Sequence, residues 1–360
     1  MTTYVIEPRD TLVLGDGRAI GENAAARSLE VPWPSTVAGA LRSHGGRSAR
    51  DGRFDCARSD EVKTWSVRGP VLATLGEDGE PVEWLAPAPR DAHFVETPDE
   101  EVTLRVLAPL DDSDDLSDLP TSLRRVGLAG PPEPRKPWAG APRYWRWPDF
   151  EAWLVAPRDQ TFDVTRKNWR PERERRISVS LSPQTRTVKE HVLFEVEHTI
   201  FRTGLDRGVG VVAEVDGPAF DQGSLVLGGE RRVSFVRPTR CALPTPPPSL
   251  ARAIAATRMA RLVLVTPGIF DLGFMPSAIE GATIIAAAVD RPLVVSGWDW
   301  ATKTPKAARR CAAPGSVYWV RLDAGTDVDT WLAKRWLRSI STTEQDQRDG
   351  FGLAVVGGVA

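Results

Sequence analysis

Cysteine is scarce in this 360-residue chain. The three cysteines, Cys56, Cys241 and Cys311, are odd in number and lie far apart along the sequence. A disulfide framework needs paired cysteines and a CxxC zinc site needs closely spaced ones, so this pattern excludes both. It is typical of a protein in a reducing cytoplasm, which is the localisation that we expect.

Long apolar runs are also absent. No stretch approaches the roughly 18 consecutive apolar residues that suggest a membrane span. The start, MTTYVIEPRD, has no charged segment followed by an apolar one, so we expect no signal peptide. Hydrophobic residues nevertheless make up 41% of the chain, which is enough for a sizeable core and excludes wholesale disorder.

Histidine is scarce as well, which limits metal and nucleophile chemistry. Two of the four histidines, His191 and His198, fall on one predicted strand, but seven positions apart they point to opposite faces. The motifs HExxH, GxSxG and GxxxxGK[ST] do not occur. Five aspartates in residues 111–118 could bind a divalent cation, although such a run is more commonly a solvated acidic loop. We expect neither a metal nor a cofactor.

Neither sign of charge is in excess, because 46 basic residues face 48 acidic ones and the net charge is −2. Any nucleic-acid binding must therefore use a local basic surface. Basic residues are concentrated in 166–176, around Trp169, and in 301–310, which includes Lys303, Lys306 and Arg309. Five more arginines flank the first predicted strand and helix: Arg9, Arg18, Arg27, Arg42 and Arg47. Each basic run could equally be a solvated face, and Trp169 could stack on a base or belong to the core.

Turn-forming residues are abundant, with 30 glycines and 30 prolines, which indicates many turns and short helices. The first strand is predicted over 3–8. The first helix is predicted to be capped by Ser35 or Thr36 and to end at Gly45-Gly46 in the left-handed conformation. Residues 69–86 are predicted to form a hairpin.

The proline-rich segment 241–249 is the predicted domain boundary, because four prolines exclude a helix or a central strand. Each half can be read as strand, helix, two strands, helix, strand. The predicted fold class is therefore α+β, with two ferredoxin-like (RRM-like) domains. The first spans 1–240 with a large insertion at about 50–185, and the second spans 250–360.

Two glycine-rich turns could approach phosphates closely, because glycine lacks a Cβ. One contains Gly228 and Gly229 and is followed by Arg231 and Arg232; the other contains Gly350 and Gly352. The alternative for each is a tight turn that only leads into a strand.

Several segments, read in order, resemble one family. They are IEPRDTLVLGDGRAI, PWPSTVAGALR, RGPVL, LAPAPRD, LVLGGERR, SGWDWATKTPKAAR and APGSVYWVRL. Together they are similar to the RAMP subunit that caps the guide RNA 5′ end in type III-B (Cmr) CRISPR effector complexes. The terminal GFGLAVVGG is similar to the glycine-rich loop of RAMP proteins.

The resemblance implies a non-catalytic subunit that binds the 5′ handle of the CRISPR RNA (crRNA). It also implies docking against the large polymerase-palm subunit and the backbone RAMP subunits. The residues onto which RNA contacts carry over are Arg9, Asp10, Ser35, Thr36, Gly228 to Arg232, Lys303, Lys306, Gly350 and Gly352. The backbone N–H groups at Ser35 and Thr36 would favour a phosphate, because they begin a helix.

Two other functions stay open at this point. In one, the protein is a metal-independent guide-processing endoribonuclease of the RAMP class, with His44 as general base and Arg47 stabilising the charged phosphorane. His44 could instead be a helix-end cation that interacts with the macrodipole. In the other, the subunit is purely architectural, and its tryptophans anchor interfaces.

Overall fold

The computed structural model describes the chain except for residues 16–24, 49, 97–100, 111–119, 121, 165–168, 183, 204–206, 300–303 and 360. The predicted RNA-binding residues Arg18 and Lys303 and the acidic run 111–118 lie outside the described residues.

The helices in the described part of the chain are short, as the glycine and proline content predicts. They are α1 (Pro34–Gly45), α2 (Ser59–Thr64), α3 (Trp147–Val155), α4 (Leu250–Thr257), α5 (Val328–Arg335) and α6 (Glu344–Arg348). A single 3-10 turn, Cys56–Arg58, precedes α2.

Strands dominate the described chain. The first twelve are β1 (Thr2–Pro8), β2 (Ala25–Ala26), β3 (Ser66–Leu75), β4 (Pro81–Pro87), β5 (Ala92–Glu96), β6 (Val102–Pro109), β7 (Val126–Leu128), β8 (Tyr144–Arg146), β9 (Gln160–Phe162), β10 (Glu172–Leu181), β11 (Val188–Ile200) and β12 (Arg202–Thr203). The rest are β13 (Arg207–Asp216), β14 (Gly223–Val226), β15 (Val233–Thr239), β16 (Met259–Leu264), β17 (Ala282–Ala288), β18 (Leu293–Val295), β19 (Trp298–Asp299), β20 (Thr304–Pro305), β21 (Arg309–Cys311), β22 (Val317–Leu322), β23 (Arg338–Ser339) and β24 (Leu353–Gly357). Mostly antiparallel sheets with few helices confirm the α+β class.

The chain divides into two compact units, each built from separate stretches of sequence. Unit 1 comprises Met1–Val82, Pro171–Ala242 and Val294–Arg310, and unit 2 comprises Glu83–Arg170, Leu243–Leu293 and Cys311–Ala360. One division point, between Ala242 and Leu243, falls inside the predicted boundary segment. The division is not linear, however: residues 83–170 interrupt unit 1 in sequence but pack with the C-terminal stretches.

Unit 1 is organised around β1, whose side chains Tyr4, Val5 and Ile6 are fully buried. The strand order is β14-β15-β1-β13-β3, with antiparallel neighbours such as Val5 opposite Val212. Helix α1 packs against β3 through its buried apolar side. A separate three-stranded sheet, β10-β11-β2, contains the long β10–β11 ribbon.

The first helix starts and ends differently from the prediction. Its N-cap is Trp33, without a capping side chain, and Pro34 occupies the first turn, where its missing N–H costs nothing. At the other end Gly46 has φ −85°, so the predicted left-handed cap is wrong. Glycine is needed at position 46 for space, since a Cβ there would lie 2.6 Å from the ring of Phe54.

Unit 2 contains the sheet β17-β22-β16-β24-β23 and a second sheet formed by β5, β6, β7 and β9. At its centre Arg261, 1% exposed, forms an ion pair with Asp91, which is fully buried. Asp91 also accepts a hydrogen bond from the indole N–H of Trp153 at 2.9 Å. A search of the described helices for one that is both long and apolar enough to cross a membrane finds none.

Candidate functional site

The end of β1 in unit 1 opens onto a cavity of about 270 Å³. Strand β10, the end of β11 and the start of β12 supply its other walls. The lining residues are Pro8, Arg9, Asp10, Thr11, Glu174, Arg176, Ile200, Phe201 and Arg202. Three guanidinium groups and two carboxylates therefore face this space, which leaves a positive balance.

Arg9 is an exposed cation of the cavity, with 55% of its side chain accessible, and its guanidinium lies 3.4 Å from the carboxylate of Glu7. Its guanidinium carbon lies 5.2 Å from the centroid of the Phe235 ring, an arrangement in which the ring quadrupole attracts the cation. The Arg9 backbone N–H donates to Val233 O at 3.2 Å, which fixes the base of the side chain. Arg9 thus presents a planar cation on a rigid strand end.

The neighbouring arginines are held by carboxylates. Arg232 donates to Asp10 and to Glu230, each at 2.8 Å. Arg176 binds Glu174 through two parallel hydrogen bonds of 2.9 and 3.0 Å. Guanidinium groups that are paired with carboxylates already have a fixed orientation. Binding of a ligand to them therefore does not require the entropy cost of ordering flexible side chains.

His198 lies behind these charges and is only 1% exposed. Its Nδ1 is 2.9 Å from the hydroxyl of Thr11. Burial lowers the pKa of His198 below its ordinary value, and the nearby cations Arg176 and Arg232 lower it further. At neutral pH the imidazole is therefore uncharged.

The carboxylates of the site stay ionised well into the acid range. The backbone N–H of Thr11 lowers the pKa of Asp10, with Arg232 adding to the effect. The Arg176 hydrogen bonds lower the pKa of Glu174. The charge pattern at neutral pH is thus one of permanent cations alternating with permanent anions around a neutral imidazole.

This environment predicts a pH-dependent stability. The unfolded chain protonates His198 as the pH falls through about 6.5, whereas the folded protein does so only at lower pH. The neutral imidazole of His198 therefore contributes to the free energy of unfolding above about pH 6.5. This contribution is lost as the pH falls through the pKa of His198 in the folded protein. We expect the Tm of the native protein to decrease more steeply between about pH 7 and 5 than that of His198→Gln. Circular dichroism melts in pH steps measure this, and parallel curves would contradict it.

The turn at Gly228 and Gly229 lies close to this cluster, and the N–H of Gly229 is used inside the unit. Gly228 has φ +80°, and the N–H of Gly229 donates to Val13 O at 2.7 Å. Arg231 follows with φ +52° and an exposed side chain. The glycines make a tight turn that positions Arg231 and Arg232, which corrects the predicted role of the Gly229 N–H; a phosphate contact at Gly228 stays a prediction.

The second glycine turn is structural, and its prediction as a phosphate cradle is corrected. Gly350 and Gly352 are buried in unit 2 with φ +87° and +70°. The Gly352 N–H donates to Pro267 O at 2.7 Å, and the Gly350 N–H donates to Gln347 O at 3.1 Å. Both donors are used inside the unit.

Two predicted contacts around α1, those of Arg42 and of the Thr36 N–H, are also corrected, whereas the contact predicted for Ser35 stays a prediction. Arg42 is 8% exposed and donates from Nε and Nη2 to Trp65 O at 3.2 and 2.7 Å, so it stabilises unit 1. Ser35 and Thr36 are half-buried in the first turn of the helix. The Thr36 N–H donates to Trp33 O at 2.9 Å and is not available to a phosphate.

Lys306 and Arg309 lie exposed on the 294–310 stretch of unit 1. The Lys306 N–H donates to Gly297 O at 2.8 Å, which ties its backbone to the start of that stretch. They form a second basic strip, and their contact with RNA stays a prediction.

Comparison with known proteins decides the family. The model of the CRISPR-associated protein family Cas_Cmr3 matches residues 4–359, almost the whole chain. The chain belongs to the Cas_Cmr3 family. This confirms the resemblance to a Cmr subunit of CRISPR defence that the sequence showed.

Two of the solved structures that are similar to this Cas_Cmr3 protein are of one assembly. Two chains are from cryo-EM structures of the type III-B Cmr-beta complex, one bound to cognate target RNA and AMPPnP and one bound to cognate target RNA. Each has a TM-score of 0.49 and covers 88% of this chain and 86% of that chain, with 20% and 18% identity. A search of curated proteins gives no match.

Sequence reasoning about this Cas_Cmr3 chain missed Glu174, Arg176 and His198 as site residues. For the basic run 166–176 it left two alternatives, a solvated face or an RNA contact in which Trp169 stacks on a base and Arg170 and Arg173 meet phosphates. Arg173 instead forms an ion pair with Glu197, and Trp169 is 4% exposed in unit 2 against Tyr144, with ring centroids 4.9 Å apart. The signal that could have found Glu174 and Arg176 is the alternation of side chains along a strand. Strand β10 begins at Glu172, so even-numbered positions share one side of it and odd-numbered positions the other.

His44 does not have the geometry of a general base. Its Nε2 lies 3.0 Å from Asp221 O and its ring packs edge-on against Phe220. A nitrogen that donates to a carbonyl carries the proton, so the other nitrogen, Nδ1, would have to act as base. Nδ1 is buried without a partner among the described residues. No lone pair of the imidazole faces a site that RNA could reach.

Proposed function

We propose that the protein is a non-catalytic RNA-binding subunit of a type III-B CRISPR effector complex, and that it holds the 5′ handle of crRNA. The observation that carries the proposal is the cavity at the end of β1, with Arg9 exposed above Phe235 and with Arg176 and Arg202 in its walls. Membership of the Cas_Cmr3 family supports it.

The chemistry of the cavity suits a single strand. Exposed guanidinium groups such as Arg9 and Arg231 pair with phosphates, while the fixed carboxylates of Asp10 and Glu174 accept hydrogen bonds from the N–H groups of an unstacked base. Binding is then salt-dependent, with a slope of about −0.7 in log–log form for each neutralised phosphate.

Each unit of this chain is, in our proposal, a ferredoxin-like domain. In unit 1 the strands β1, β3, β13 and β15 take the order β15-β1-β13-β3, so the first strand lies between the third and fourth. In unit 2 the strands β16, β17, β22 and β24 take the same order in reverse, β17-β22-β16-β24. One helix precedes the second strand in unit 1 (α1) and one precedes the fourth in unit 2 (α5), as in βαββαβ.

The partners that we propose are the crRNA 5′ handle, the large polymerase-palm subunit and the backbone RAMP subunits. The compartment that we propose is the cytoplasm, because the three cysteines are unpaired.

Incubation of the full chain with handle RNA in EDTA tests the proposal. We expect a stable complex in a gel-shift assay and intact RNA on a denaturing gel. Specific cleavage that disappears in His44→Ala would instead establish the endoribonuclease function. Absence of binding at low salt, together with crosslinks in the assembled complex that never join this chain to the handle, would establish the architectural role.

A further inference from the structure

The β10–β11 ribbon carries an exposed aliphatic face. At alternate positions of β10, Ile177, Val179 and Leu181 are 77%, 42% and 55% exposed. On β11, Leu193 and Val188 lie opposite Val179 and Leu181 and are 60% and 55% exposed. Residues paired across antiparallel strands share a side of the sheet, so these five side chains form one surface, here called the aliphatic face.

The aliphatic face points away from the candidate RNA cavity. Glu174 and Arg176 of the same strand line that cavity. Because side chains alternate with a period of two, the odd-numbered positions 177, 179 and 181 lie on the other side of the ribbon. RNA bound in the cavity therefore leaves the aliphatic face uncovered.

The composition of the face favours a protein as its occupant. Its five members carry no charge and no aromatic ring, the two features with which proteins hold nucleic acid. The two cations at odd positions of β10 are both paired: Arg175 lies 3.3 Å from the carboxylate of Glu195, and Arg173 forms an ion pair with Glu197. An RNA strand would find neither a stacking platform nor an unpaired cation among these side chains.

The size of the face decides between a second copy and a larger assembly. It is on the order of the few hundred Å² that marks an interaction site on a soluble protein. A stable two-body interface buries about 800 Å² on each partner, so this face alone does not hold a dimer of this chain. It suits one contact among several in a multi-subunit complex.

We propose that the aliphatic face docks against an aliphatic surface of a neighbouring protein subunit in the Cmr complex. The proposal rests on the proposed function in one respect, that the chain works as part of this complex. It assigns the two sides of one ribbon to different ligands: the even-numbered side of β10 faces RNA, and the odd-numbered side faces protein.

Competition during assembly tests it. The full-length double variant Ile177→Ser/Leu193→Ser competes with the native chain for incorporation into a Cmr complex reconstituted from all subunits and crRNA. We expect incorporation to fall at least tenfold, while the control Val82→Ser/Val226→Ser, at positions 61% and 47% exposed elsewhere in unit 1, incorporates normally. Equal incorporation of the test variant would overturn the proposal. Handle RNA binding by each isolated chain should be unchanged, which separates this outcome from a failure of RNA binding.

A photo-crosslinking amino acid at position 181, in place of Leu181, identifies the occupant in the same complex. A crosslink to a neighbouring protein subunit is the expected result. A crosslink to crRNA or target RNA, a crosslink to a second copy of this chain, or no crosslink at all would overturn the proposal.

Discussion

Reversing the charge of Arg9 and Arg231 together should weaken binding of handle RNA at least tenfold at low salt. Both side chains are exposed at the cluster at the end of β1, and Arg9→Glu/Arg231→Glu replaces two cations with two anions. Because this part of the binding free energy comes from counterion release, the difference should shrink as salt increases. Fluorescence anisotropy with labelled handle RNA over a salt series measures both quantities.

The control for this experiment is Arg50→Glu/Arg53→Glu, which makes the same change of charge at two exposed arginines away from the cavity in unit 1. We expect a much smaller loss of affinity. Equal losses in the two double variants would mean that only the overall charge matters and would remove the cavity from the proposed site.

The pair Lys306→Glu/Arg309→Glu tests the second basic strip, for which we also expect at least a tenfold loss of affinity for handle RNA.

Removing Asp91 should destabilise unit 2 by about 3–5 kcal/mol, the usual cost of leaving a buried charge without its partner. In Asp91→Ala the guanidinium of Arg261 keeps only carbonyl partners, those of Trp153, Leu154 and Gly358. The indole N–H of Trp153 loses its acceptor as well. Urea unfolding followed by tryptophan fluorescence measures the free energy of unfolding.

The exposed ion pair between Arg90 and Asp290 provides the comparison for Asp91. Its atoms are 2.8 Å apart, but the two side chains are 47% and 45% accessible. Solvent screening limits such pairs to about 0–1 kcal/mol, so Asp290→Ala should unfold almost like the native protein. The apolar pair Asp91→Leu/Arg261→Met should recover much of the loss, because no unpaired charge remains buried. Similar stabilities for Asp91→Ala and Asp290→Ala would show that burial does not govern the Arg261 pair.

Local pattern predicted many of the elements. Strand β1 and helix α1 lie within a few residues of their predicted positions. Their apolar periodicity agrees with the surface that they bury, so sequence neighbours alone contain the signal. The turn between β3 and β4 also forms as predicted, with Gly76 N–H donating to Glu80 O at 2.9 Å.

Long-range contacts were not predictable in the same way. Arg9, Arg42 and Arg231 were all predicted to contact RNA, yet Arg42 is buried against Trp65, 23 residues away. Asp10 meets Arg232 across 222 residues of chain. Whether the guanidinium of an arginine faces solvent or is buried against a carbonyl therefore depends on residues that are distant in sequence.

The sequence by itself determined the α+β class, the near-neutral charge with local basic runs, and the family. These are properties of composition, periodicity and ordered short motifs, which exist before the chain folds. Tertiary structure decided which cations surround the cavity, which glycines are structural, and which side of the β10–β11 ribbon is apolar. The physical reason is that burial and ion pairing depend on distances in space, and those distances are set only when strands far apart in the chain come to lie side by side.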